Sequence, residues 1–124
     1  MKARTLIADD ASFMREMIRE IIEPEGFEVV GEATDGLEVV ETYQKLHPDL
    51  VMLDIVMPKC SGIDALKRIL AADRSACIVM CSALGQESLV QEALQAGARG
   101  FIVKPFKPDA VVATLRKVVE KRDA

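Results

Sequence analysis

Tryptophan is absent from this chain of 124 residues, tyrosine occurs once and phenylalanine four times. Nucleic-acid binders lean on stacking rings and a basic stripe. A formal charge of −4 with so few rings argues against direct nucleic-acid binding and leaves protein as the expected partner. Cysteine is equally sparse: Cys60, Cys77 and Cys81 are odd in number, show no CxxC spacing, and have only His47 as an imidazole companion. Neither a zinc site nor a disulfide framework is indicated, and the three read as reduced packing residues. Long hydrophobic runs are missing too. Met1-Lys2-Ala3-Arg4 leads into a four-residue stretch that meets two aspartates, which is neither a signal peptide nor a membrane span. The expectation is a cytoplasmic protein with no membrane insertion.

What the chain does have is apolar residues, which make up 50% of it. That is enough for one sizeable core and too short a chain for a second ordinary domain, so residues 1–124 read as a single domain. Five short apolar runs recur, at 5–8, 28–33, 50–53, 77–82 and 100–103. Most are continuous rather than alternating, as strands covered on both faces should be. Helical patterns lie between them. Phe13, Met14, Met17, Ile18, Ile21 and Ile22 share one flank of a first helix. Asp35 and Ser61 are placed to cap the second and third, with Glu38 and Asp64 three residues on. Gly97 is suited to end a fourth helix running from about Gln86 to Ala96, and Pro108 to start a fifth. The alternation is (βα)5, an α/β fold with a doubly wound parallel sheet whose ligands bind beyond the strand C-termini.

Four polar signals fall on that edge: Asp9-Asp10 after strand 1, Asp54 after strand 3, Ser82 after strand 4, and Lys104-Pro105 after strand 5. A single aspartate there is usually a turn residue or a cap. Three carboxylates about 5 Å apart repel by roughly 3 kcal/mol per pair at an effective dielectric near 20, which calls for a compensating cation. A hard divalent ion fits, and Mg²⁺ leaves room for water and phosphate oxygens. Lys104 reads either as a structural ion-pair partner of the aspartates or as a clamp on phosphoryl charge, and the two are compatible. Ser82 is either a lead-in to the fourth helix or a donor to a phosphoryl oxygen. Other chemistries fit poorly. Asp9-Asp10-Ala11-Ser12 replaces the GxGxxG of a dinucleotide site, no Walker loop is present, and a phosphohydrolase with paired aspartates would need Asp where Val56 stands.

Taken together, Asp9-Asp10, the segment Asp54-Ile55-Val56-Met57-Pro58 with Gly62 following, Ser82-Ala83 and Lys104-Pro105 resemble the receiver domain of two-component response regulators over essentially the whole chain. The resemblance implies a flavodoxin-like fold of strand order 2-1-3-4-5. It also implies that Asp54 accepts a phosphoryl group from a phosphohistidine of a sensor histidine kinase. Mg²⁺ would be held by Asp10, Asp54 and the backbone carbonyl of Val56, with Asp9 reaching it through water. Lys104 would neutralise phosphoryl charge and Ser82 would swing to bind it, drawing Phe101 on strand 5 inward, although Phe101 also reads as plain core. The Lys104-Pro105 bond would be cis. The product is a two-state switch on the helix 4, strand 5 and helix 5 surface. On this reading the protein catalyses only its own phosphorylation and dephosphorylation.

The stretches 9–15, 81–86 and 101–106 are further similar to single-domain chemotaxis regulators of the CheY type. That implies a flagellar switch protein as output partner, a phosphatase as a further one, and a monomer or weak dimer. A phosphorelay intermediate and a constitutive, unphosphorylated binding module are the competing functions. Val56 stands where family members often carry a polar side chain, which bears on the lifetime of the aspartyl phosphate. Residues 97–124 carry 7 basic and 3 acidic side chains against 9 and 17 in the rest. That local excess is either a solvated face or a docking surface for an acidic segment.

Overall fold

The computed structural model describes residues 2–123. The chain alternates β1 (Ala3–Ala8), α1 (Ser12–Ile22), β2 (Phe27–Ala33), α2 (Gly36–Leu46), β3 (Leu50–Asp54), α3 (Gly62–Ala72), β4 (Ile78–Ser82), α4 (Glu87–Ala96), β5 (Gly100–Val103) and α5 (Pro108–Asp123), with a 3₁₀ turn at Glu23–Glu25. The five strands form one parallel sheet in the order β2-β1-β3-β4-β5, the order that the resemblance implies.

The central strands are continuous apolar runs because both of their faces are covered. Leu6, Val51, Leu53, Ile78 and Met80 point into a core shared with Val39 of α2, Leu66 and Ile69 of α3, and Val90 and Ala93 of α4. Their neighbours Ile7, Leu50, Met52, Val79 and Cys81 point the other way, onto Ile18 and Ile22 of α1 and Val111, Leu115 and Val118 of α5. This is the period of two expected of a strand, expressed as two separate cores.

Two departures are instructive. On α1 only Ile18 and Ile22 are buried, Met14 and Ile21 are half-buried, and Phe13 and Met17 are exposed. On edge strand β5, Ile102 is buried but Phe101 and Val103 are exposed, so this run is covered on one face only.

The caps follow the local sequence. Asp35 Oδ1 accepts from the amides of Leu37 (3.0 Å) and Glu38 (2.8 Å), and Ser61 Oγ accepts from Asp64 (3.2 Å). Glu38 reaches back one residue further than a capping box requires, to the amide of Thr34 at 2.7 Å. Gly97 ends α4 at φ 121, and Pro108 opens α5.

Candidate functional site: an acidic pocket at the sheet edge

The C-terminal ends of β1 and β3 are adjacent in the sheet, which brings Asp9 and Asp54 together although 45 residues separate them. Oxygens of Asp9, Asp10 and Asp54 lie within 4.8 Å of one another. Asp9 and Asp54 are buried and Asp10 is exposed. β5 supplies the counter-charge: Lys104 Nζ sits 3.0 Å from Asp9 Oδ2 and 3.2 Å from Asp54 Oδ2. Its position is set by the strand pairing, since the Lys104 amide donates to the Ser82 carbonyl at 2.7 Å, and the Lys104–Pro105 peptide is cis.

The loop after Asp54 is braced from both sides. The Ile55 amide donates to the Cys81 carbonyl (3.1 Å), and the Gly62 amide donates to the Ile55 carbonyl (2.7 Å). Gly62 has to be glycine here, because a Cβ would strike the Asp54 carbonyl oxygen and lie 2.8 Å from Ile55 Cα. The Val56 amide hydrogen-bonds Asp54, and the Val56 side chain is exposed beside the pocket.

The electrostatics show a deficit of positive charge. Burial raises the Asp54 carboxyl above its ordinary value; Lys104 opposes the rise and the charge of Asp9 adds to it. Burial pulls the Lys104 ammonium down, but its bonds to and attraction by Asp9 and Asp54 outweigh that, so it too is raised. An isolated ion pair would move its carboxylate downward. Here one cation faces two carboxylates, so the lysine gains from both while Asp54 shares its partner and meets a like charge. Cys81, across from Asp54 in the ladder, is pushed up to about 12 by burial and then by Asp54.

The donor set fits a hard divalent cation: oxygens only, three of them anionic, with one carboxylate open to solvent. Asp9 is the most committed of the three, because Oδ1 accepts from the Ala11 amide (2.9 Å) and Oδ2 takes Lys104.

Ser82 is buried at the end of β4. It lines a hollow of about 140 Å³ together with Leu84, Val90, Phe101 and Val103. Phe101 is 44% exposed and does not belong to either core, so its plain-core reading does not hold. Of the seven cations in residues 97–124, Lys104, Arg116 and Arg122 form ion pairs with acids from elsewhere in the chain. Part of the local basic excess is therefore consumed inside the fold. The sequence reading missed the backbone donors of Ala11 and Val56, which no side-chain motif announces.

A family model described as the response regulator receiver domain matches residues 5–116. The chain is 55% identical over 118 residues to chemotaxis protein CheY of Thermotoga maritima, covering 95% of this chain and 98% of that protein. It is 53% identical over 119 residues to chemotaxis protein CheY of Bacillus subtilis, covering 96% and 99%. Among solved structures, the CheX-CheY-BeF3-Mg²⁺ complex from Borrelia burgdorferi is similar at a TM-score of 0.90 and 40% identity, over 94% of this chain and 88% of the matched one. With its acidic pocket, its strand order and these matches in agreement, the chain belongs to the response regulator receiver domain family and is CheY-like over nearly its whole length.

Proposed function

We propose that the chain is a phosphorylation-dependent switch of a two-component system acting in chemotaxis, with Asp54 as the residue that takes the phosphoryl group from a phosphohistidine of a sensor histidine kinase. The observation that carries this reading is the charge count of the pocket: three carboxylates within 4.8 Å, with the ammonium of Lys104 bridging two of them, Asp9 and Asp54. Such a site is short of positive charge until a metal binds, and it can then accept phosphoryl oxygens.

In the transfer, an oxygen of Asp54 attacks phosphorus, and the P–N bond to the imidazole breaks. Its electron pair stays on nitrogen, and Asp54 becomes an acyl phosphate. Lys104 exchanges a carboxylate oxygen for a phosphoryl oxygen, and the Ser82 hydroxyl donates to another. Asp10, Asp54 and the Val56 carbonyl would hold Mg²⁺, with Asp9, already bound to Lys104 and Ala11, as an outer contributor. When bound, the ion supplies charge stabilisation for the phosphoryl group. The protein is a signalling protein rather than a turnover enzyme, and its catalysis extends to its own phosphorylation and dephosphorylation. The exposed Val56 side chain leaves the pocket mouth without a polar group at that position, a feature that bears on how long the acyl phosphate survives.

The readout follows from the hollow beside Ser82. Movement of Ser82 toward the phosphoryl group opens room into which Phe101 turns, reshaping the α4-β5-α5 face, where Leu84, Phe101 and Val103 are exposed. The output partner is the flagellar motor switch. The Borrelia complex, in which CheX accompanies a CheY with BeF3 and Mg²⁺, supports both the metal and a further protein partner such as a phosphatase. No described helix is long and apolar enough to cross a membrane. From the likeness to chemotaxis relatives we read the protein as cytoplasmic, with residues 1–124 as a receiver domain that is monomeric or weakly dimeric.

Incubation with acetyl phosphate and Mg²⁺ followed by intact-mass measurement should add one phosphoryl group to the wild type and none to Asp54→Asn. An unmodified wild type would refute the central claim. Pull-down with the N-terminal peptide of the flagellar switch protein should be stronger with beryllofluoride than without. Equal capture in both states would remove the switch from the reading.

A further inference from the structure

Arg15, in the first turns of α1, has no part in the mechanism above, yet its side chain is only 15% exposed. Its guanidinium makes two bonds in different directions. Nη1 donates to the backbone carbonyl of Asp9 at 2.7 Å, and Nε donates to Glu32 Oε1, also at 2.7 Å. Glu32 stands on β2, which pairs with β1, and its second oxygen accepts from Arg19 Nη2 at 2.6 Å. The hydrogen bond to Arg19, countered by burial and aided by Arg15, holds the Glu32 carboxyl below its ordinary value. Arg15 thus ties the end of β1 to β2 through a charged, well-anchored partner.

The two acids that follow β1 are held very differently. Asp9 is fixed at every polar group: its amide donates to the Ala33 carbonyl (3.1 Å), Oδ1 accepts from Ala11 (2.9 Å), Oδ2 takes Lys104 (3.0 Å), and its carbonyl takes Arg15. Asp10 is exposed, and among the described residues no hydrogen bond or ion pair holds its side chain. Its carboxylate nevertheless lies within 4.8 Å of the other two. That placement comes from the backbone. The Asp9 carbonyl belongs to the rigid peptide plane that begins Asp10, so whatever fixes this carbonyl sets the direction in which Asp10 leaves the strand.

The geometry points to Arg15 as the positioning residue of the metal site: by clamping the Asp9–Asp10 peptide against Glu32, it presents the Asp10 carboxylate to the divalent cation. This rests on the reading of the pocket as a Mg²⁺ site. Arg15 reaches the two acceptors through separate nitrogens of a planar fork, Nη1 to the carbonyl and Nε to Glu32, whereas a lysine would have to serve both from one nitrogen at the end of a flexible stem. Loss of an outer partner that orients a ligand lowers metal affinity by about 10- to 100-fold.

Arg19 supplies the control, because it also bonds Glu32 but touches neither Asp9 nor Asp10. Calorimetric titration of the metal-free protein with Mg²⁺ should show affinity about 10-fold or more weaker in Arg15→Ala, an intermediate loss in Arg15→Lys, and a change within about twofold in Arg19→Ala. Thermal melting without metal should be lowered to a similar, small extent in the two alanine variants. Wild-type affinity in Arg15→Ala would overturn the inference. So would an equal loss in Arg19→Ala, which would assign the effect to the Glu32 network. If the wild type itself bound no Mg²⁺, the reading of the pocket would fall along with the inference.

Discussion

The two edges of the sheet treat their aspartates in opposite ways. At the N-terminal edge Asp49 accepts from the Arg4 amide at 2.8 Å and pairs with Arg122 at 3.3 Å, and Arg4 and Arg122 also donate to the carbonyls of His47 and Asp49. Nearby, Asp73 accepts from the Ser75 hydroxyl (2.6 Å) and the Tyr43 hydroxyl (2.8 Å), and those bonds hold its carboxyl below the ordinary range. At the C-terminal edge Asp54 is held above that range, by burial and by Asp9, in spite of Lys104. One edge supplies donors in excess of its acids; the other supplies acids in excess of its cations. Only the second kind of arrangement has electrostatic free energy to gain from a bound cation, and this imbalance is what sets the proposed Mg²⁺ and phosphoryl site apart from the opposite edge.

The largest test of this contrast is steric. Gly62→Ala places a methyl group against the Asp54 carbonyl and should cost about 3 kcal/mol in denaturant unfolding. Gly26→Ala, in a turn near the opposite edge, meets open space and pays only for its positive φ, about 1 kcal/mol. Equal costs would mean that the pocket loop yields more readily than its packing indicates.

Next in size is Tyr43→Phe, which removes the donor to Asp73 and should lower stability by about 1 kcal/mol at pH 7. The sign of its pH dependence is set by the depressed Asp73 carboxyl. Stability from that group is fully present above the ordinary aspartate value of about 3.9 and is lost as pH falls through the lower folded value, so the gap between variant and wild type should narrow in acid.

Asp54→Asn should do the reverse and raise the melting temperature at pH 7. The folded carboxyl titrates above its unfolded value, so ionised Asp54 opposes folding at neutral pH, and the penalty disappears as pH falls through the folded value to below about 3.9. Melting curves of both proteins from pH 3 to 7 decide it; a lower melting temperature for Asn at pH 7 would show that Lys104 more than offsets burial and Asp9. The smallest effect concerns Cys81, buried and raised to about 12. Iodoacetamide at pH 8 should leave it unmodified in the native protein and label it in guanidinium, as peptide mapping would show.

Much of the acidic C-terminal edge was legible because it is written in short, local signatures. A strand ending in Asp9-Asp10, another in Asp54 and a third running into Lys104 needed only the rule that parallel strands share one binding edge. The N-terminal edge was not legible. Arg4, Asp49 and Arg122 meet across the whole chain, and no spacing connects them. Arg15 was visible as a residue but not as a clamp, since its acceptor is a main-chain carbonyl that has no letter in the sequence. Phe13, Met17, Phe101 and Val103 fit apolar patterns yet are exposed, because hydrophobic periodicity identifies a face without showing whether another element covers it.

The distance in sequence between the acids of the pocket and their cation also matters while the protein is being made. Lys104 is 95 residues from Asp9 and 50 from Asp54. On the ribosome the carboxylates emerge long before the ammonium that will sit between them, so a nascent chain ending short of β5 carries the repulsion of the pocket without its relief. Closure of the sheet edge must therefore await synthesis of β5 and Lys104, and a product terminated before them should fail to form the charge-balanced pocket even where β1 and β3 have paired.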